Sequence, residues 1–166
     1  MPAAADSTAI QSIGLQEFPE PASGTAQWRE SARRAILPTV TAPVRLLLVD
    51  DNHDFLVSAA AHLRTRPPLS IVGAVRSGEE ALTLLNSVHI DLVLLDLNMC
   101  GLNGLETTRL FKARPRAPKV IIVTLEEAPE YRRRARVAGA DGFIGKAEFA
   151  TELIPLIATL FPDETP

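Results

Sequence analysis

This 166-residue chain contains a single thiol, Cys100. One cysteine cannot build a disulfide framework, and nothing in its usage argues for an oxidising compartment. Positive charge is not in surplus either: the formal net charge is -3, so the overall basic field that favours nucleic acid is missing. No apolar run approaches the roughly 18–20 residues needed to span a bilayer. The amino terminus lacks the charged and apolar regions of a signal peptide. The three histidines, His53, His62 and His89, are scattered without ligand spacing and read as surface or packing residues. These absences leave a protein expected in the cytoplasm, with no membrane span and no direct nucleic-acid binding.

What is present is ordinary for a soluble globular domain: 46% apolar and 22% charged residues, in a length that suits one core and a tail. Residues 1–43 are rich in Ala, Pro, Ser and Thr, punctuated by Pro19, Pro21, Pro38 and Pro43. They read as a mostly disordered extension. Within it Trp28, Ala32, Ala35 and Ile36 recur at helical spacing, allowing a short helix over 26–37 that would need something to pack on.

From Val44 the pattern alternates. Val44–Val49, Leu69–Val75, Leu92–Leu95, Lys119–Val123 and Gly142–Ile144 read as strands. Helical patterns follow each of them, opened by Asn52 or Asp54, by Ser77 with Glu80 at capping-box spacing, after the loop Cys100–Gly104, at Pro129, and over Phe149–Phe161. Pro155 falls early in the last of these, which predicts a kink or a late start. The stretch Leu92–Leu95 has no polar face, so both its sides must be covered, as in a parallel sheet with helices on each surface. Five β–α units in series imply an α/β, doubly wound parallel sheet.

Four strands end on polar groups that a buried strand would not otherwise choose: Asp50 with Asp51, Asp96, Thr124 and Lys146. In a doubly wound sheet those ends share one rim, where ligands bind. Three close carboxylates repel one another unless protons or a cation intervene. Oxygen-only ligands suit Mg²⁺, which keeps several waters and bridges to phosphate oxygens. A lysine and a threonine hydroxyl supply contacts to phosphoryl oxygens, and Asp96 is placed to act as a nucleophile on phosphorus, giving an aspartyl phosphate.

In these residues, and in the run Gly139-Ala140-Asp141-Gly142-Phe143-Ile144-Gly145-Lys146 together with Met99 and Gly104, the chain resembles the receiver domains of two-component response regulators (the CheY-like family). The resemblance covers 44–161. It implies a flavodoxin-like fold with strand order 2-1-3-4-5 and Asp96 as phosphoacceptor. It implies Mg²⁺ held by Asp51, Asp96 and the Asn98 carbonyl, with Asp50 helping through water. Thr124 and Phe143 match the switch hydroxyl and aromatic, and Lys146 the phosphate-reading lysine. The implied donor is a histidine on a sensor kinase or phosphotransfer protein, and the implied output is phosphorylation-dependent protein binding rather than enzymatic turnover. Phosphorylation is expected to draw in Thr124 and Lys146, bury Phe143 and alter the surface of the fourth helix, fifth strand and fifth helix.

Three positions depart from the family pattern: Cys100 where a proline usually follows, Leu125 where a small residue usually sits beside the pocket, and Ala147 where many receivers carry proline. Leu125 is expected to narrow access to the pocket. The basic run Arg132, Arg133, Arg134 and Arg136 reads as a solvated helix face or as a docking surface for a downstream protein. Only Pro162–Pro166 follow the last helical pattern, so a stand-alone receiver is the expectation. One alternative is a receiver-like interaction module that works without phosphorylation. Another is a phosphohydrolase of the haloacid dehalogenase type, disfavoured because the second acid it needs is Asn98 here.

Overall fold

The computed structural model describes residues 42–66 and 68–162. Residues 1–41, with the helix expected over 26–37, lie outside the described residues, as do Pro67 and residues 163–166. Five strands, β1 (Val44–Val49), β2 (Leu69–Val75), β3 (Leu92–Leu95), β4 (Lys119–Thr124) and β5 (Gly142–Gly145), alternate with five helices. These are α1 (His53–Arg64), α2 (Gly78–Leu84), α3 (Gly104–Lys112), α4 (Pro129–Ala138) and α5 (Phe149–Leu160). The strands pair in parallel in the order β2-β1-β3-β4-β5, the order the resemblance implies.

All four residues of β3 are buried, and their alternation divides the core in two. Val93 and Leu95 join Leu47, Val49, Val120 and Ile122 under α2, α3 and α4, through Ala81, Leu105, Phe111 and Ala135. Leu92 and Leu94 join Leu46, Leu48, Ile121 and Val123 under α1 and α5, through Leu56, Leu63, Phe149 and Leu153. Each such side chain contributes about 1.5–3 kcal/mol by leaving water, so the middle of the sheet is firmly held from both faces.

The helix starts follow local chemistry. Asn52 rather than Asp54 caps α1, its side-chain oxygen accepting from the Phe55 amide at 3.1 Å. Ser77 caps α2 by accepting from the Glu80 amide at 3.2 Å. A capping box opens α3: Asn103 accepts from Glu106 N, while Glu106 accepts from Asn103 N. Pro129 occupies the first turn of α4, and Gly139, at φ 98°, closes it.

The late start expected at Pro155 does not appear: α5 is one helix from Phe149 to Leu160 with the proline inside it. Leu153 and Ile157, on either side, are 0% and 4% exposed. Their packing on the sheet outweighs the roughly 3 kcal/mol that an internal proline costs.

Candidate functional site

Asp50 and Asp96 sit just past β1 and β3, and the backbone fixes both. The Asp50 amide donates to the Val75 carbonyl at 3.1 Å and the Asp96 amide to the Val49 carbonyl at 2.9 Å. The two carboxylates are buried, at 2% and 5% exposure. Each also accepts from the amide two residues on: Asn52 N to Asp50 Oδ1 at 2.9 Å, and Asn98 N to Asp96 Oδ2 at 3.1 Å. Asp51 is half-buried beside them, and one oxygen from each of the three lies within 4.8 Å of the others.

Lys146 enters from the end of β5. Its amide donates to the Thr124 carbonyl at 2.8 Å. Its ammonium lies 2.6 Å from Asp50 Oδ2 and 3.3 Å from Asp96 Oδ1. The same ammonium stands 4.5 Å from the centre of the Phe55 ring, a cation–π contact that adds to its hold. Gly104 completes the framework, since a Cβ there would come within 2.3 Å of the Asp96 carbonyl oxygen. Only glycine lets α3 begin this close to the reactive loop.

Burial pushes the Asp96 carboxyl up to about 6, and the Asp50 charge adds to the rise, while Lys146 and the Asn98 amide oppose it. An acid held this high, beside a cation and two further carboxylates, marks the pocket as chemically unusual. The donor set fits a hard divalent cation. All three side chains offer oxygen, and buried Asp50 Oδ2 faces the Lys146 ammonium at 2.6 Å, the one cation, among the described residues, ion-paired to any of the three carboxylates.

Sequence-predicted residues thus fall into two places. Asp50, Asp51, Asp96 and Lys146 meet in one pocket, with Asn98 bonded to it through its backbone. Thr124, fully buried at the end of the neighbouring β4, borders it, and its Oγ1 accepts from the Glu126 amide at 3.1 Å. Phe143 does not reach the carboxylates. It packs under α4, 8% exposed, so the burial expected to follow phosphorylation is already in place.

Arg132 holds Phe143 there. Its guanidinium carbon lies 4.7 Å from the ring centre, and Nη1 donates to the Phe143 carbonyl at 3.1 Å. Neither the solvated-face nor the docking reading of the basic run anticipated this contact. Arg132, Arg133 and Arg136 line a groove of about 580 Å³ beside Phe143. Leu125, directly after β4, is 77% exposed. Cys100 is exposed as well.

An acidic pocket past the central strands β1 and β3, reached by a lysine from the end of the edge strand β5, thus lies on one rim of a parallel α/β sheet. The family model described as the response regulator receiver domain matches residues 46–158, and the chain belongs to that family. It is similar to the nitrate/nitrite response regulator protein NarL of Escherichia coli K12, 32% identical over 104 residues, covering 63% of this chain and 48% of NarL. It is also similar to the response regulator GacA of Pseudomonas viridiflava, 34% identical over 119 residues, 71% of this chain and 55% of GacA. The chain therefore spans about half the length of these curated relatives. Among solved structures, the signal receiver domain of the putative response regulator NarL from Mycobacterium tuberculosis superposes with a TM-score of 0.68 at 24% identity, covering 73% of this chain and 98% of that one. At that identity the likeness bears on the fold alone. Among the described residues no helix is long and apolar enough to cross a membrane.

Proposed function

We propose that Asp96 accepts a phosphoryl group from a phosphohistidine on a sensor kinase or phosphotransfer protein, and that the modified receiver signals by a changed affinity for a protein partner. The observation that carries this reading is the position of Asp96: buried, raised to about 6, and 3.3 Å from the Lys146 ammonium. Asp51, Asp96 and the Asn98 carbonyl would hold Mg²⁺, with Asp50 behind them. When bound, the ion supplies positive charge against the carboxylates and the phosphoryl oxygens.

The chain's own residues do the remainder. Asp96 attacks phosphorus as the P–N bond breaks, and the bonding pair returns to the donor imidazole. The Asn98 amide, donating to Oδ2 at 3.1 Å, orients the attacking carboxylate. Lys146 neutralises charge that gathers on the phosphoryl oxygens, and the Thr124 hydroxyl, at the adjacent strand end, donates to one of them. The acyl phosphate carries roughly −1.5 to −2 charges where the carboxylate carried −1, and the added charge, set on three oxygens, draws Lys146 from Asp50 toward Asp96. The change passes along β5 to Phe143 and the α4 groove, where Arg133 and Arg136 suit an acidic partner surface.

Incubation with acetyl phosphate and Mg²⁺, read by intact-protein mass spectrometry, tests the first step. Wild type is expected to gain one phosphoryl group, and Asp96→Asn none. A wild-type protein that stays unlabelled beside a labelled control receiver defeats the reading. Unchanged partner binding in Asp96→Asn favours the interaction module that needs no phosphorylation.

A further inference from the structure

The corner between β2 and α2 contributes no side chain to the acidic pocket, yet it holds both loops from which the pocket is built. Arg76, the first residue past β2, donates from Nη2 at 3.0 Å and from Nε at 3.3 Å to the carbonyl of Asp51. Three residues on, Glu79 Oε1 accepts from the amide of Leu102 at 3.1 Å, in the loop that runs from Asp96 to the cap of α3. That loop folds closely about the Glu79 carboxylate: Gly101 has φ 79°, and a Cβ there would lie 2.7 Å from Glu79 Oε1. Backbone donors, its own amide and that of Leu102, hold the Glu79 carboxyl below the ordinary range. The corner is itself braced, with the Arg76 amide donating to Glu80 Oε2 at 3.4 Å and the Glu80 amide to Ser77 Oγ at 3.2 Å.

We propose that Arg76 and Glu79 are positioning residues that fix the separation of the Asp51 and Asp96–Asn98 loops, and so set the affinity of the pocket for a divalent cation. The proposal rests on the reading of that pocket as a Mg²⁺ site. Three carboxylates within 4.8 Å repel one another, and the repulsion drives the loops that bear them apart. Asp50 and Asp96 are anchored by strand backbone. The Asp51 carbonyl is held by Arg76, and the loop beyond Asn98, closed at its base by the Gly104 amide donating to the Leu97 carbonyl at 2.9 Å, is held at Leu102 by Glu79, three residues further along the same corner. Partners of this kind, behind the ligands, commonly govern metal affinity.

Charge arithmetic makes the proposal testable. Removing the Arg76 cation beside an acidic pocket strengthens Mg²⁺ binding if electrostatics alone matters; if the tether matters, binding weakens. Glu79→Ala loses both charge and acceptor, whereas Glu79→Gln loses the charge and keeps an oxygen for the Leu102 amide. Mg²⁺ would be titrated calorimetrically into the full, unphosphorylated chain, with amide exchange at Leu102 followed by NMR. Arg76→Ala and Glu79→Ala are each expected to weaken binding roughly tenfold, with faster Leu102 exchange in the latter and most of the affinity retained in Glu79→Gln. Labelling by acetyl phosphate should need more Mg²⁺ in both alanine variants but reach the wild-type rate at saturation. Binding in Arg76→Ala as tight as or tighter than wild type, or equal weakness of Glu79→Gln and Glu79→Ala, would overturn the tether. A wild-type chain that binds no Mg²⁺ overturns the site reading and the tether with it.

Discussion

Lys146 stands closer to Asp50 than to Asp96, 2.6 Å against 3.3 Å. Its ammonium is therefore the counter-charge of Asp50 first, and the phosphoryl group proposed for Asp96 would have to compete for it.

Lys146→Met keeps the apolar stem and removes the charge, leaving two buried carboxylates facing each other. Breaking a fully buried pair costs about 3–5 kcal/mol; with Lys146 12% exposed, the loss is expected at the lower end of that range. Mg²⁺ should return more stability to the variant than to wild type, because it answers to the same carboxylates. Thermal melts with EDTA and with Mg²⁺ check this, and equal Mg²⁺ shifts for the two proteins would contradict it.

Asp96 gives the metal-free protein an inverse pH dependence. Its folded value, about 6, lies above the ordinary 3.8, so between about pH 4 and pH 6 the folded state holds more protons than the unfolded state. This contribution to stability falls as pH rises through that window. Asp96→Asn abolishes the slope and should be more stable than wild type by roughly 1–3 kcal/mol at pH 7.5 in EDTA. Urea unfolding of both proteins at pH 4 and pH 7.5 measures it. A gap that narrows with rising pH would refute the assignment.

Asp141 works in the opposite sense. Burial raises its carboxyl, but Lys112 at 2.6 Å, the Val120 amide at 2.8 Å and Lys119 at 3.4 Å outweigh that and hold it below the ordinary value. Its stabilisation is present above the unfolded value and is lost as pH falls through the folded one. Asp141→Asn should therefore be less stable than wild type at neutral pH, with the difference closing on acidification. Because Asp141 joins the start of β5 to β4, the deficit should appear in urea-unfolding midpoints at neutral pH and shrink in acid, with or without Mg²⁺.

Arg132→Ala removes a ring contact and a charge-assisted hydrogen bond from Phe143. Together these are expected to contribute about 1–2 kcal/mol at this half-exposed site. Arg132→Lys keeps the charge but not the planar fork, so it should recover only part of the loss. Chemical denaturation gives the energies, and ring-proton NMR of Phe143 reports whether the aromatic still packs under α4. Full recovery by lysine would show that charge, and not the stacked geometry, holds the ring.

The pocket is legible in the sequence because a buried parallel strand admits few polar residues. Asp50, Asp96, Thr124 and Lys146 each interrupt an apolar run at its carboxyl end, and the sheet brings those ends together. The cap of α3 was open to the same reading: Asn103, with Glu106 three residues on, carries the capping-box spacing. Arg132, Arg76 and Glu79 were not legible. Each acts on backbone or a ring far along the chain, and a polar residue at a helix start or on a helix face looks alike whether it meets solvent or a neighbour. Pro155 misled for a related reason, since local propensity does not include the sheet beneath α5. The shift in pairing between β1 and β2, where Leu46 faces Ile71 but Leu47 faces Gly73, likewise left no mark in the apolar pattern.

The four residues of β3 send their side chains alternately into two apolar layers that share no member. Asp96 is thus suspended between two independent foundations, and subsidence in either one tilts it. Changes that disable the pocket from a distance should accordingly be found on opposite faces of the molecule, with no single hot region leading back to Asp96.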